Sequence, residues 1–237
     1  MMIPDIKTRL AREEMKKAGF VLLTDIIPDA ILEMRYYSTF NFVGERIDAY
    51  EAPVAYLTIE ATNALLKASN DLIKQGYRIK IYDAYRPQTA VEHFKRWAKD
   101  INAIEMKPYF YPSKEKAELF EIGYVAAKSS HSRGSAVDLT LVDMTTGREI
   151  DMGCGFDYFG EISHSDRTEG LTEEQLNNRL ILRKAMMQNG FKPHPKEWWH
   201  FTLENEPYPN TYFDFPITAP EAQTKNNNSN NNKTHEN

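Results

Sequence analysis

The sequence predicts a single α+β domain with a mainly antiparallel sheet flanked by helices. Helical and strand-like patterns occur along the chain, but they do not alternate as a series of parallel strand–helix–strand units would require. The 237 residues, 41% hydrophobic and 12% aromatic, are enough for one large core, and no Gly/Ser linker or internal repeat divides them. We therefore expect one folded domain over residues 1–216.

Helices are predicted where apolar residues recur at helical spacing between start and stop signals. A weak pattern covers residues 5–18. A helix that ends before Gly76 carries, on one face, Leu57, Ala61, Leu65, Ala68 and Leu72. Another follows Pro87 and carries Val91, Phe94, Trp97 and Ala98. The last begins with a capping box at residues 172–175, stops at Gly190 and carries Leu176, Leu180 and Met187.

Strands are predicted where short runs of apolar, aromatic and β-branched residues lie between turn residues. These runs cover residues 21–26, 32–37, 78–85, 136–143 and 198–203. They supply the strands of the expected sheet.

The C-terminal end of the chain has a different composition. Its last run, NNNSNNNKTHEN, contains no apolar residue. Because such a segment has nothing to bury, we expect residues 217–237 to form a disordered tail.

Charge and cysteine content exclude several classes of protein. The net charge of −5, from 29 Lys and Arg against 34 Asp and Glu, provides no cationic field for a phosphate backbone, so we expect no nucleic-acid partner. The single Cys154 cannot form an intramolecular disulfide or a Cys-rich zinc site. Any metal must therefore be bound by His and carboxylate side chains.

No apolar run approaches the length of about eighteen residues that a membrane-spanning helix needs. The charged first residues also lack the apolar centre of a signal peptide. We expect a cytoplasmic protein without a transmembrane segment. The alternative, a periplasmic or secreted protein, requires that a signal peptide has been removed. The sequence leaves the oligomeric state open.

The strongest candidate for a functional site is the polar loop that leads into the strand of residues 136–143. His131 precedes the turn at Gly134, and Asp138 lies at the start of the strand. An imidazole and a carboxylate that meet across such a turn are suitable ligands for Zn²⁺. The alternative is a hydrogen-bonded pair without a metal.

A second candidate is the segment EWWH at residues 197–200. His200 could bind a metal while Glu197 stands beside it. A hydrolytic zinc needs three protein ligands, an open position for water and a nearby carboxylate that takes the proton of that water. The alternative is a structural segment in which the two Trp rings are buried and Glu197 and His200 only satisfy each other.

A third candidate is Arg86, which lies between an apolar strand and Pro87. Because Pro87 makes the residue before it extended and can begin a helix, the guanidinium projects from a rigid junction. A fixed guanidinium can stabilise the oxyanion of a tetrahedral intermediate. The alternative is a surface ion pair.

Together these motifs are similar to those of the zinc-dependent D-alanyl-D-alanine dipeptidases of the VanX type. SSHSRGSAVD matches the Ser-x-His-x-x-Gly-x-Ala-x-Asp signature of that family, and EWWH matches its Glu-x-x-His signature. DAYRPQTAV resembles its arginine motif, and RYYSTFNFVG its N-terminal tyrosine and Asn-Phe-x-Gly segment. GFDYFGE and EPYPNTYFDFP resemble later segments, so the likeness extends in order from about residue 20 to residue 216.

The resemblance implies a hedgehog-like peptidase fold and a zinc peptidase mechanism. It implies that one Zn²⁺ per chain is bound by His131, Asp138 and His200. It also implies that Glu197 is the catalytic base and that Arg86 stabilises the tetrahedral intermediate.

The same resemblance implies which residues bind the substrate, a small dipeptide. Ser129, Asp157 and Tyr36 would orient its charged ends, and a shift of one residue would place Tyr37 instead of Tyr36 in this role. Asp83 would hold the arginine of the catalytic site in place.

The expected reaction is hydrolysis of D-alanyl-D-alanine to two molecules of D-alanine. One alternative is a D,D- or L,D-carboxypeptidase or an endopeptidase that acts on longer peptidoglycan stem peptides with the same zinc chemistry. A further alternative is a non-catalytic zinc-binding module, which would need neither Glu197 nor Arg86. Among the other histidines, we expect His164 and His194 to be solvated loop residues rather than ligands.

Overall fold

The computed structural model describes residues 6–121 and 128–220. The α-helices are α1 (Ile6–Lys17), α2 (Leu23–Ile26), α3 (Ile59–Ile73), α4 (Gln88–Lys99), α5 (Lys107–Phe110), α6 (Glu118–Glu121) and α7 (Glu173–Gln188). The strands are β1 (Phe20–Leu22), β2 (Ile31–Leu32), β3 (Tyr56–Thr58), β4 (Tyr77–Asp83), β5 (Ala136–Asp143), β6 (Phe191–His194) and β7 (Glu197–Leu203). Short 3₁₀ helices cover Ser130–Arg133 and Glu161–Ser163. None of the helices in the described part of the chain is long and apolar enough to cross a membrane.

The main sheet has five strands in the order β2-β4-β5-β7-β6. Only the β2–β4 pair is parallel, and the other pairs are antiparallel. The central strand β5 is buried from residue 136 to residue 142, as expected for a strand that is covered on both faces. A separate two-stranded sheet pairs β1 with β3. The predicted α+β class with a mainly antiparallel sheet is confirmed.

The helical patterns correspond to α1, α3, α4 and α7, but Leu57, which was predicted on the face of α3, lies on β3 before the helix. The capping box at Thr172 and Gln175 starts α7 as predicted. The apolar face predicted for α7 is wrong, because Leu180 is 59% exposed and Met187 is 50% exposed. The buried face instead carries Asn178, Arg179, Leu182, Ala185 and Met186. Two of these residues are polar, so apolar spacing alone could not identify it.

Two strand predictions are too long. Within residues 21–26 the chain leaves β1 after Leu22 and forms α2, whose first amide donates to the carbonyl oxygen of Ala55. Within residues 32–37 only Leu32 belongs to a strand, and the chain then turns, with the amide of Tyr37 donating to the carbonyl oxygen of Met34. Each run contains buried residues (Leu23 in the first, Met34 and Tyr36 in the second), although the chain is not extended there. The short strands β3 and β6 were not predicted.

The folded chain continues past the predicted boundary at Pro216. Ile217 is fully buried and forms a β-bridge with Tyr50. Thr218 is also buried, and its hydroxyl accepts a hydrogen bond of 2.9 Å from Nε of Arg12. The boundary of 216 is therefore at least two residues too early. The remainder of the predicted tail, from residue 221, lies outside the described residues.

Candidate active site

The three predicted metal ligands lie on two adjacent strands and on the turn before one of them. Asp138 on β5 and His200 on β7 are paired directly across the sheet. His131 lies in the 3₁₀ helix before β5, which Gly134 ends with a φ of 77°. A Cβ atom at residue 134 would lie 2.3 Å from the ring of Phe20, so both the backbone conformation and the packing require glycine.

The ligand atoms of these side chains converge on one point. His131 Nε2 lies 3.0 Å from His200 Nδ1 and 3.2 Å from Asp138 Oδ2. His200 Nδ1 lies 2.9 Å from Asp138 Oδ1. Over residues 6–121 and 128–220, no other group of three His, Cys, Asp or Glu side chains places its ligand atoms close enough to hold a metal ion. We refer to His131, Asp138 and His200 as the metal cluster, because they could hold such an ion.

Hydrogen bonds outside the metal cluster orient both imidazoles. His131 Nδ1 lies 2.6 Å from the carbonyl oxygen of Ala84, which can only accept, so Nδ1 carries the proton and Nε2 is unprotonated in the neutral ring. His200 Nε2 lies 3.2 Å from Ser130 Oγ and 3.1 Å from Thr202 Oγ1, whose oxygens can accept its proton. Each ring therefore presents its other nitrogen as a ligand, the arrangement in which a partner outside the cluster fixes the tautomer.

The charge of Asp138 also favours the binding of a cation by the metal cluster. Burial alone would raise the pKa of Asp138, but the imidazoles of His131 and His200 outweigh this effect and hold the pKa below its ordinary value. Burial lowers the pKa of His200, but the hydrogen bond from its ring to Asp138 outweighs burial and raises the pKa. An ionised carboxylate between two imidazoles thus attracts either a proton or a metal ion, and the two compete.

Glu197 lies at the start of β7, beside the metal cluster. Its Oε2 is 3.7 Å from His200 Nδ1. In a regular strand, residues three apart face opposite sides of the sheet. Here the β6–β7 register shifts between Pro193 and His194, so Glu197 and His200 both reach the same cavity. Burial raises the pKa of Glu197 to about 7, although the charge of His200 opposes this.

Arg86 follows β4 and is held by several neighbours. Its Nε donates to Asp83 Oδ2 at 2.9 Å, and Asp83 Oδ1 accepts a 2.6 Å hydrogen bond from the hydroxyl of Tyr50. The guanidinium lies over the rings of Tyr36 and Phe94, at 4.9 and 5.3 Å from their centroids. Its Nη2 is 3.6 Å from Oδ2 of Asp138 in the metal cluster. Because Asp83 is fully buried, the guanidinium has a fixed position and is not a surface ion pair.

Asp157 lines the same cavity and lies in the loop that precedes α7. Its backbone has a φ of 61°, a left-handed conformation that is uncommon for residues other than glycine. Its Oδ2 accepts a 2.9 Å hydrogen bond from the hydroxyl of Tyr36. Burial, followed by the charge of Asp138, raises the pKa of Asp157 well above its ordinary value. Tyr36 is buried and lines the cavity, whereas Tyr37 stacks with Arg46 instead.

Ser129 completes the set of predicted residues around one cavity of about 180 Å³. Its Oγ accepts from the amide of His131 at 3.3 Å and lies 3.4 Å from Nη1 of Arg86. The cavity is lined by every predicted site residue except Asp83, which contacts it through Arg86. The structure therefore brings together side chains that lie in five separate segments of the sequence.

Of the ionisable residues that line the cavity, two were missed or misjudged from the sequence. His194 is not a solvated loop residue: it belongs to β6 and lines the cavity, with Nδ1 3.9 Å from Glu197 Oε2. Burial and then the neighbouring His200 lower the pKa of His194 to about 4. Lys128 also lines the cavity, and its position directly before the Ser129 motif was the available signal. Pro193 and Pro195 flank His194 and suggest a loop, but Pro193 lies on the edge strand β6 and Pro195 follows the end of that strand.

Comparison with known proteins identifies the family. The family model described as D-ala-D-ala dipeptidase matches residues 16–218. This chain belongs to the D-ala-D-ala dipeptidase family. The family resemblance predicted from the motifs is confirmed, and the chain is a member of a family of peptidases. The alternative of a non-catalytic binding module is not supported by this membership.

The curated relatives agree with the family model. The chain is 41% identical over 199 residues to a D-alanyl-D-alanine dipeptidase of Enterococcus faecium, covering 84% of this chain and 98% of the relative. It is 39% identical over 198 residues to a D-alanyl-D-alanine dipeptidase of Streptomyces coelicolor, with the same coverage. A solved structure of the vancomycin-resistance D,D-pentapeptidase VanY with Zn(II) has a TM-score of 0.39 and 14% identity, over 66% of this chain and 77% of that one. That structural likeness is too low to support an argument.

Proposed function

We propose that this chain hydrolyses D-alanyl-D-alanine to two molecules of D-alanine. The observation that carries the proposal is the convergence of the metal cluster, Glu197, Arg86 and Asp157 on one small cavity. Drug-sized ligands occupy about 300–1,000 Å³, so a cavity of about 180 Å³ suits a much smaller molecule. The curated relatives are D-alanyl-D-alanine dipeptidases, which supports this dipeptide as the substrate.

We propose one Zn²⁺ per chain as the metal that His131, Asp138 and His200 would hold. Ligand atoms around a tetrahedral zinc with bonds of about 2.0–2.2 Å lie roughly 3.3 Å apart, and those of the metal cluster lie 2.9–3.2 Å apart. Two imidazoles and one carboxylate form a donor set typical of hydrolytic zinc, with one position left for water. When bound, zinc would supply Lewis acidity towards the scissile carbonyl and lower the pKa of a water.

Glu197 is the general base in this proposal. The water attacks the carbonyl carbon and gives its proton to Glu197, which passes it to the leaving amine as the C–N bond breaks. No covalent bond to the protein is needed. The raised pKa of Glu197 makes its carboxylate a stronger base than a solvated one, and a nearby dication would reduce this effect.

Arg86 would stabilise the oxyanion of the tetrahedral intermediate. Its Nε is committed to Asp83, while its Nη atoms point towards Ser129 and Asp138 at 3.4 and 3.6 Å. A guanidinium that is already oriented loses little free energy to reorganisation when charge develops on the substrate. Asp83 would act by holding that orientation.

The two charged ends of the dipeptide would be recognised at different places. Asp157 would accept hydrogen bonds from the free ammonium, with Tyr36 holding the carboxylate in position. A cation there would lower the raised pKa of Asp157, because it offsets the cost of burial. At the other end of the dipeptide, Ser129 would donate a hydrogen bond to the substrate carboxylate. A stem peptide lacks an ammonium at this position, so Asp157 favours the dipeptidase over the carboxypeptidase alternative.

One assay tests the proposal. D-alanine release should be measured from D-Ala-D-Ala, L-Ala-L-Ala and a pentapeptide that ends in D-Ala-D-Ala, with zinc-loaded and chelator-treated protein. We expect rapid release from D-Ala-D-Ala alone, and its loss with chelator. Glu197→Gln is the matched control, because it retains the size of the side chain while removing the base and so identifies a contaminating peptidase. Equal kcat/KM for the dipeptide and the pentapeptide would favour the carboxypeptidase.

The cellular location is a separate proposal. The cytoplasm remains our prediction from the sequence, and fractionation of the native organism with an antibody against this chain would test it.

A further inference from the structure

Part of the cavity wall comes from residues 152–164, which we call the Asp157 loop. It includes a single 3₁₀ turn, at Glu161–Ser163, and no strand. Two of its residues, Asp157 and Phe159, line the cavity. A left-handed φ of 61° at Asp157 persists only where the surroundings determine the backbone. The position of the Asp157 carboxylate therefore depends on what holds the loop.

Arg179 on α7 holds this loop on both sides of Asp157. Its Nε donates to the carbonyl oxygen of Met152 at 2.7 Å, before Asp157 in the chain. Its Nη2 donates to the carbonyl oxygen of Ile162 at 2.9 Å, and its Nη1 to that of His164 at 3.3 Å, both after Asp157. One planar side chain thus ties the two ends of the loop together.

Burial of the Arg179 guanidinium costs solvation free energy, so packing alone does not explain an arginine at this position. The side chain is buried, with only 6% of the residue exposed. Its hydrogen-bond partners are three carbonyls and the sulfur of Cys154, and its guanidinium lies 5.8 Å from the centroid of the Trp198 ring. A buried guanidinium whose hydrogen-bond partners are neutral loses more solvation free energy than a neutral side chain of the same size would. An apolar residue at this position could not bind the loop carbonyls.

Helix α7 provides a rigid support for this contact. Its first turn is closed by the capping box of Thr172 and Gln175. Leu182 and Met186 are fully buried in the core on the same side of the helix as Arg179. Asn178, next to Arg179, donates to the carbonyl oxygen of Asp151 at 2.9 Å. The loop is therefore held against an element that is itself fixed.

We propose that Arg179 is a positioning residue that holds the Asp157 loop so that the carboxylate of Asp157 meets the ammonium of the substrate. This inference rests on the proposed function, because it assigns Asp157 to the ammonium of a free dipeptide. Arg179 does not line the cavity, so it acts through the loop and not on the substrate.

The test compares Arg179→Lys with the unchanged protein on D-Ala-D-Ala and on N-acetyl-D-Ala-D-Ala, which has no ammonium. Lys has one donor group and cannot bind three carbonyls in the planar arrangement of Arg. We expect kcat/KM for the free dipeptide to fall about 10–100-fold, a size taken from residues that orient metal ligands. The loss should lie mainly in KM, and the rate with the blocked dipeptide should change little.

Arg183→Lys is the matched control. Arg183 lies one turn further along α7, and its Nη1 makes one 3.4 Å hydrogen bond, to the carbonyl oxygen of Ser165 just beyond the loop. We expect this variant to retain the preference for the free dipeptide. Zinc content and melting temperature of both variants separate loss of the fold from loss of positioning.

Hydrogen exchange gives a readout that does not depend on the substrate. In Arg179→Lys, amides of the Asp157 loop such as Phe159 and Ser163, which are hydrogen-bonded to carbonyl oxygens, should exchange faster, while amides of α7 stay protected. Unchanged exchange in the loop overturns the inference whether or not the protein cleaves D-Ala-D-Ala. An equal loss of activity on both dipeptides also overturns it. Failure of the unchanged protein to cleave either dipeptide contradicts only the proposed function.

Discussion

The metal cluster and the Asp157 loop face the same cavity but are held in place by different means. Asp138 and His200 lie opposite each other on paired strands of the sheet, and backbone hydrogen bonds fix their separation. Asp157 lies on irregular backbone that depends on side chains from α7. The half of the site that would perform the chemistry is built on the sheet, whereas the half that would select the substrate is built on a loop. Substitutions should therefore separate catalysis from selectivity.

The largest effect should follow removal of a member of the metal cluster. His200→Ala takes away one of three ligands and leaves a carboxylate and one imidazole, which bind zinc far more weakly. We expect the purified variant to lose its stoichiometric zinc and its activity on every dipeptide. Metal analysis with a parallel assay checks this, and His194→Ala is the matched control for zinc content, because His194 lies outside the cluster. Full zinc content in His200→Ala would show that the metal lies elsewhere.

Glu197→Gln should damage catalysis without releasing the metal. A positioned general base contributes about 10²–10⁴-fold, so kcat should fall by at least about 10²-fold. Because Glu197 is not a member of the metal cluster, zinc content should stay near one per chain. Loss of zinc together with activity would instead make Glu197 a ligand.

Asp157→Asn tests the half of the site that would select the substrate. Asn is close to Asp in size and can still accept from Tyr36, but it lacks the charge that would pair with the substrate ammonium. The loss of one partner of a buried charge pair costs about 2–5 kcal/mol, or roughly 30- to several-thousand-fold in kcat/KM. The loss should be confined to the free dipeptide, so its advantage over N-acetyl-D-Ala-D-Ala should narrow. Parallel losses on both substrates would remove Asp157 from ammonium recognition.

These two halves of the site also differ in how far the sequence predicts them. His131, Asp138 and His200 belong to short motifs in which turn residues and strand alternation indicate where the side chains meet. The strand β5 was predicted with its observed bounds, 136–143. Asp157 came only from the family resemblance, since nothing local indicates a left-handed aspartate.

The support for the loop was beyond the reach of local patterns. Arg179 contacts residues 152–164 through hydrogen bonds to the backbone, and such contacts leave no trace in the hydrophobic pattern. The apolar residues of α7 therefore predicted the wrong face, with Leu180 exposed and Arg179 buried. The register shift that turns Glu197 towards the cavity is equally non-local, because it depends on the pairing of β7 with β6.

The pKa of Glu197 predicts a stability effect that is separate from catalysis. In the metal-free protein its pKa is about 7 against an ordinary value of 4.5, so folding disfavours the ionised form. The contribution of Glu197 to the free energy of unfolding should be most favourable below about pH 4.5 and should decrease as the pH rises towards 7. At 1.36 kcal/mol per pH unit the difference is roughly 3 kcal/mol. Chelator-treated Glu197→Gln should therefore be more stable than the unchanged protein at pH 8, and the two should be similar at pH 4.

Urea unfolding of the two chelated proteins at both pH values gives these free energies directly. If Glu197→Gln raised the free energy of unfolding equally at pH 4 and pH 8, the cause would be packing and not the charge of Glu197. Restoring zinc should reduce the difference at pH 8, since a dication favours the ionised carboxylate.

The smallest effect concerns the C-terminus, which supports the site through Tyr50. The amide of Ile217 donates to the carbonyl oxygen of Ala49, and Tyr50 in turn donates to Asp83, which holds Arg86. A chain that ends after residue 216 loses Ile217, whose burial contributes about 1.5–3 kcal/mol, so its melting temperature should fall by roughly 3–12 °C. This support reaches Arg86 through Asp83, and it reaches Asp157 less directly, because the Tyr50 ring packs 5.7 Å from that of Tyr36, which donates to Asp157. We therefore expect kcat to decrease, while the preference for the free dipeptide over the N-acetyl dipeptide changes less. A chain that ends after residue 220 is the matched control and should keep both stability and activity, because the residues it lacks include no apolar side chain larger than Ala. If the shorter chain lost its substrate preference, the two halves of the site would be coupled through the core, and their separation would not hold.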